Sequence, residues 1–455
     1  TQSGKVLPTN NNRLLFSNRD LVRLIVPLVI EQFLAVFIGM ADTVMVSGIS
    51  EGAVSAVSLV DSINVLFIQL FSAMATGGAI VAAQYLGKQS RREACGAAKQ
   101  LLYVALAIAM ALGAVSLFFA QPIITLCFGQ LQPATMAYAC AYLRISAVSY
   151  PALALYNGGA ALLRAMSNSR ASMFTALMMN LMNVAGNALL IYGLKMEVAG
   201  AAIASLVSRC VGAIIVMRLL LNQELPIYLD QPLRPQMDRQ MIGRIFRLGI
   251  PSGIENSIFQ IGKLLVAGVL STLGEAQIAA NAVSNSIASL WNLPGSAMGL
   301  ALVTVVGQCV GAGDRRQARY YTRKLMGAVY LCAVVMYLVL FLLAPQIAGL
   351  FNLSREGLDA ACQVLKWYCV AAAIFWPASF TLPNALRAAG DARFTMTVSV
   401  ISMWSLRIGL SYVLVRGLNM GLLGVWAAMF ADWVLRSGCF LWRYRGDKWL
   451  QKSVV

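Results

Sequence analysis

Apolar runs of about 20 residues recur from one end of this chain to the other, and about 20 is what a helix needs to cross the hydrocarbon of a bilayer. The first, near Leu24 to Val46, reads as a spanning helix. A signal peptide would be a single short apolar stretch followed by polar sequence. The residue balance agrees: 12% of the chain is charged, against about 25% in a soluble domain. Helices are predicted over roughly 21–48, 54–82, 97–119, 137–163, 173–193 and 198–221, and again over roughly 248–273, 278–306, 325–344, 361–385, 394–415 and 421–442.

A net charge of +17 would suit a nucleic-acid partner, but its placement follows membrane topology instead. Lys88, Arg91, Arg92 and Lys99 share one side with Arg164 and Arg170, with Arg239, Arg244 and Arg247, and with Arg315, Arg316, Arg319 and Lys324. The opposite side has Lys195, Arg355, Lys366 and Arg416. Both termini are therefore predicted to be cytoplasmic, which needs an even number of crossings, and twelve fit. Residues 1–20 and 443–455 become cytoplasmic ends, and 222–247, with Pro226, Pro232 and Pro235, a cytoplasmic connector too short to fold alone.

The chain has no histidine, which removes the commonest proton shuttle, the Ser-His-Asp triad and most metal chemistry. Its nine cysteines form no Cys-x-x-Cys pair and read as small apolar residues. No G-x-x-x-x-G-K-[ST] motif is present, so direct use of ATP is not expected. A membrane enzyme is disfavoured on the same grounds, and neither a cofactor nor a nucleic-acid partner is expected.

Laid against itself at a shift of 224 residues, the sequence puts Pro27 on Pro251, Glu31 on Glu255 and Gln84-x-x-Gly87 on Gln308-x-x-Gly311. After a one-residue slip, Leu163-Arg164-Ala165 falls on Leu386-Arg387-Ala388. Two homologous halves, 21–221 and 248–442, each with six helices, share one orientation. The expected fold is an all-α integral membrane protein of twelve transmembrane helices in two six-helix bundles around a central cavity, the plan of a secondary transporter.

Charged groups inside hydrocarbon cost a few kcal/mol each, so every one is a functional candidate. Asp42 lies deep in the first segment, fifteen residues after Pro27, which permits a bend. An acid on a bendable helix can couple its protonation to helix shape. Glu31 and Glu255 are either ion ligands or structural acids tying helix ends together. Asp61 in the second segment is a cavity candidate, and Lys263 either pairs with an acid across the cavity or snorkels. The fifth segment carries Asn180, Asn183 and Asn187 among Met173, Met178, Met179 and Met182; the amides line water or glue helices, and methionines suit varied flat ligands. Arg144, Arg209, Arg407 and Asp432 take no individual assignment.

Ala41-Asp42-Thr43-Val44-Met45-Val46-Ser47-Gly48, Gln84-Tyr85-Leu86-Gly87, the Asn183-x-x-x-Asn187 pair before Tyr192-Gly193, and Leu386-Arg387-Ala388-x-Gly390-Asp391 together resemble the multidrug and toxic compound extrusion (MATE) family over nearly the whole chain. The resemblance implies two lobes around a V-shaped cavity in a bacterial inner membrane, and export of cationic or aromatic compounds in exchange for H⁺ or Na⁺. It implies that Asp42 carries the coupling ion, a Na⁺ included, and that helix 1 bends near Pro27. It makes Asn183 and Asn187 the polar neighbours of that acid and puts Ser205 where other members have a threonine. The acid of the tenth helix in sodium-driven members would fall near Trp376, and no acid lies between Lys366 and Arg387. A monomer suffices, since the cavity lies between lobes of one chain. The competing expectation is a flippase for a lipid-linked saccharide or other amphiphile, whose cavity would need basic residues such as Lys263, Arg144 and Arg407.

Overall fold

The computed structural model describes residues 14–230 and 236–455. Among these, twelve long helical passages run in sequence. The first half contains α1 (Asn18–Ser47), α2 (Glu51–Gly87), α3 (Arg91–Phe118), α4 (Pro133–Ala165), α5 (Ser169–Gly193) and α6 (Glu197–Leu220). The second contains α7 (Arg239–Leu270), α8 (275–311), α9 (Arg315–Ala348), α10 (Arg355–Ala388), α11 (Ala392–Gly417) and α12 (Gly421–Arg445). Among the described residues, eight helices are long and apolar enough to cross a membrane; α7 and α12, outside that group, are diluted by Glu255 and Lys263 and by Asp432 and Arg436.

Several helices are longer than their apolar stretches. Helix α7 begins at Arg239, well before the expected 248, because Asp238 caps it, accepting from the Gln240 and Met241 amides at 2.9 and 3.1 Å. Asp314 likewise caps α9 through the Gln317 amide at 2.9 Å. Hydropathy marks where hydrocarbon begins, whereas the backbone ladder continues into the interface. At α1, Ser17 and Asp20 form a reciprocal capping box, and the Ser17 hydroxyl, followed by its N–H, holds the Asp20 carboxyl below its ordinary pKa. The connector is pinned to α3: Arg91 donates to the Gln223 and Leu225 carbonyls at 2.6 and 2.7 Å, and Ile227 and Leu229 are buried. Pro232 and Pro235 of that connector lie outside the described residues.

The halves exchange their first helices at one end. Leu21, Leu24 and Leu28 of α1 pack into a core of second-half residues, including Leu302 and Val305. Met241, Ile245 and Leu248 of α7 pack into the first-half core beside Tyr85 and Leu101. Both helices run through their prolines unbroken. Pro27 cannot serve the Arg23 carbonyl, and the Ser169 hydroxyl, at the start of α5, donates there at 3.2 Å and to the Leu24 carbonyl at 2.8 Å.

That end, which carries the basic loops, is a two-fold seam. Gln84 donates through Nε2 to the Ala388 carbonyl at 2.8 Å, and its repeat counterpart Gln308 donates to the Ala165 carbonyl at 2.7 Å. Helices α2 and α8 cross at Gly87 and Gly311, each lying against the backbone of the glutamine of the other half. Ser453 and the Val454 amide both donate to Gln84 Oε1 at 3.1 Å. Farther along, α2 and α7 stay close at Gly77, where a methyl would sit 2.7 Å from the Gly249 nitrogen. Beyond Leu70 the helices part, and Asp61 and Lys263 stand in the walls of one recess of about 420 Å³.

Candidate functional site

The two repeated glutamates are structural in geometry. Glu31 accepts from Arg164 at 2.8 Å and from the Ser172 hydroxyl at 2.9 Å, so α1 is held to the end of α4 and the start of α5. Glu255 accepts from Arg387 at 2.7 Å and Ser399 at 2.7 Å, joining α7, α10 and α11 in the same way. Both carboxylates are 7% exposed, deep enough that an unpaired charge would be costly. The arginines come from the repeated Leu-Arg-Ala motif, which in the sequence marked the repeat, the topology and the family resemblance but was given no role as a partner of the glutamates.

In the first lobe, Asn183 and Asn187 project from one face of α5, as four-residue spacing requires. Asn183 donates to the Ser205 hydroxyl of α6 at 3.0 Å, and Asn187 donates to Asn183 Oδ1 at 3.4 Å. Asn180, half-buried one turn earlier, takes no part in this chain of bonds. The helix continues past Asn187 in a wide π-turn, Ala188–Gly193, a feature common at functional sites. From that turn Tyr192 donates to the Met45 carbonyl at 3.0 Å, so α5 is tied to α1 one turn from position 42. The backbone of α1 passes through Asp42, but its side chain lies outside the described residues.

A second polar group spans α2 and α4. Tyr142 and Asn64 both donate to Asp61 Oδ1 at 3.2 Å, and Tyr150 donates to Asn64 Oδ1 at 2.7 Å. Arg209 of α6 donates to the Ser149 hydroxyl at 2.7 Å. Asp61 and Lys263 face one recess without forming an ion pair.

The second lobe holds a cavity of about 390 Å³ lined by Glu255, Phe259, Lys263, Phe380, Arg387 and Arg436, among others. Behind it, Arg407 lies 3.7 Å from Asp432 Oδ2, and Ser402 donates to Asp432. Arg436 was not singled out in the sequence, although a charged residue in the last apolar segment is a signal that finds it. Trp376, where sodium-driven relatives are expected to have an acid, is buried and stacks on Phe380 at 5.4 Å, contributing apolar wall.

The MatE family profile matches residues 27–189 and 251–413, the two halves of the internal repeat. An uncharacterized transporter from Bacillus subtilis, YisQ, is 28% identical over 94% of this chain and 94% of its own length. A probable multidrug resistance protein, NorM, from Thermotoga maritima is 25% identical over 96% of this chain and 94% of its own. A MATE crystal structure in a bent conformation shares the fold, with a TM-score of 0.88 at 21% identity over 96% of both chains. The chain therefore belongs to the MATE family of multidrug efflux transporters.

Proposed function

We propose that this chain is a secondary active antiporter of the bacterial inner membrane, exporting organic cations or aromatic compounds in exchange for H⁺ or Na⁺. The observation that carries this reading is a pair of homologous lobes sealed at one end by matched glutamine bonds and parted at the other around a recess lined by Asp61, Gln260 and Lys263. The sealed end bears the basic loops, so it is the cytoplasmic side by the positive-inside rule, with both termini there. The geometry is that of a state open to the outside. No cofactor beyond the coupling ion is required, and one chain forms the whole path.

Asp42 is the coupling acid in this reading, with Asn183, Asn187 and Ser205 as the polar surround of the ion. A carboxylate there attracts either the ion or an organic cation, and exchange follows if the two directions of opening differ in affinity for each. Asp42→Asn is expected to abolish ethidium efflux from proteoliposomes under a proton or sodium gradient while leaving insertion intact. Undiminished gradient-driven efflux by that variant would sink the mechanism. The flippase reading draws on one observation, the basic character of the second-lobe cavity.

A further inference from the structure

The second-lobe cavity is charged in the opposite sense to a site for cations. Lys263, Arg387 and Arg436 line it, and Arg407 stands behind the Phe259 ring that Lys263 also covers, at 4.8 and 4.9 Å from its centre. Against these four cations stand two carboxylates on the same lobe. Glu255 is engaged by Arg387 and Ser399 through Oε1, with Arg436 at 3.7 Å, and Asp432 by Ser402. Asp61, on the facing wall, is held by Tyr142 and Asn64. The lobe thus has unbalanced positive charge at membrane depth, which hydrocarbon penalises.

Two further observations point to a ligand. Arg436 is 4% exposed, yet its Nε has no hydrogen-bond partner, and a buried donor left unmatched costs about 1–3 kcal/mol. The cavity wall is also built on π-turns, at Pro377–Thr381 and Met403–Leu410. The first turn presents Phe380 beneath the Arg436 guanidinium at 4.5 Å and exposes the Ser379 carbonyl to it at 3.2 Å. In the first lobe the positions matching Lys263 and Arg436 at the repeat shift are Gly39 and Gly212, so the basic cluster belongs to one half only.

We propose that this cavity is an anion subsite, binding the carboxylate, sulfonate or phosphate of an aromatic or otherwise apolar compound. Lys263 and Arg436 meet the oxyanion, and Phe259 and Phe380 flank its flat body. A volume of about 390 Å³ lies in the ordinary range for small-molecule sites. The proposal rests on the exporter reading but widens its cargo to organic anions.

The test uses fluorescein and ethidium with the intact protein, first in detergent by fluorescence anisotropy and then in phosphatidylcholine proteoliposomes under the same gradients. Fluorescein is expected to bind saturably and to be moved. Lys263→Gln is expected to weaken its binding at least tenfold relative to ethidium, and Lys263→Arg to restore it. Ethidium binding without fluorescein binding would overturn the proposal, as would an unchanged fluorescein-to-ethidium ratio in Lys263→Gln; cation capture at the free Glu255 Oε2 would then be the better account. Displacement of fluorescein by phosphatidylglycerol, with the same dependence on Lys263, would support the subsite and identify a lipid headgroup as its occupant. Movement of neither dye defeats the exporter reading, while the anisotropy result still decides the subsite.

Discussion

Gly87→Val is expected to collapse transport by preventing the basic end from sealing. The Cβ of any side chain at 87 would fall inside the van der Waals envelope of the Gln308 carbonyl oxygen, and at 311 inside that of the Gln84 carbonyl. Both obstacles are backbone, so no rotamer change relieves them. Overpacking of this kind costs about 1–3 kcal/mol, which lowers the population of the sealed state roughly 5- to 150-fold relative to the open one. Spin labels on the exposed Arg92 and Arg316 positions should report a longer, broader separation in Gly87→Val, and dye efflux should fall in step. Gly96→Ala is the control, since nothing lies within 4 Å of its Cβ and alanine suits a helix better. A normal label separation in Gly87→Val would show that the glycine crossing is not what closes the gate.

Removing Arg164 should destabilise the protein more than removing Arg387, although the two are repeat equivalents. Arg164→Met leaves Glu31 with one hydroxyl, that of Ser172, and an uncompensated buried carboxylate of this kind costs about 3–5 kcal/mol. Arg387→Met leaves Glu255 with Ser399 and with Arg436, whose guanidinium already lies 3.7 Å from the same oxygen. For a lobe of this size the first loss corresponds to a fall in melting temperature of roughly 6–20 °C, and the second should be clearly smaller. The double variant Glu31→Gln with Arg164→Met should recover most of the loss, because it removes both the charge and its partner. Melting in detergent followed by circular dichroism, which reports the helices of both lobes, measures all three; equal losses for the two arginines would refute the role given to Arg436.

The helices and the repeat were legible because hydrocarbon imposes a length and duplication imposes a register. What sequence reasoning left open was which face each charge meets. Arg164 and Arg387 resembled topology markers, and each stands almost the same distance along the chain from its glutamate, 133 and 132 residues. That shared spacing follows from the repeat itself and carries no information about contact, so the pairing became visible only in the fold. The basic cavity was harder to see, because Arg407 and Asp432 stand on different helices and only tertiary packing brings them beside Phe259 and Ser402. The polar chain Asn187–Asn183–Ser205 was half visible: spacing gave the shared face of the amides, while the hydroxyl across from them came from the family resemblance.

The reciprocal bonding of Gln84 with Ala388 and of Gln308 with Ala165 has the form of an isologous dimer interface, in which residue i meets j′ and j meets i′, written into a single polypeptide. Rotation about its pseudo-dyad cannot lengthen one of these bonds without lengthening the other. Opening by such a rotation therefore loads both bonds together. The Ser453–Val454 contact to Gln84 breaks the equivalence, as does the Thr304 hydroxyl, which donates to the Arg164 carbonyl at 3.0 Å from a position matched by Ile80 in the first half, so each side of the paired barrier carries a bond that the other lacks.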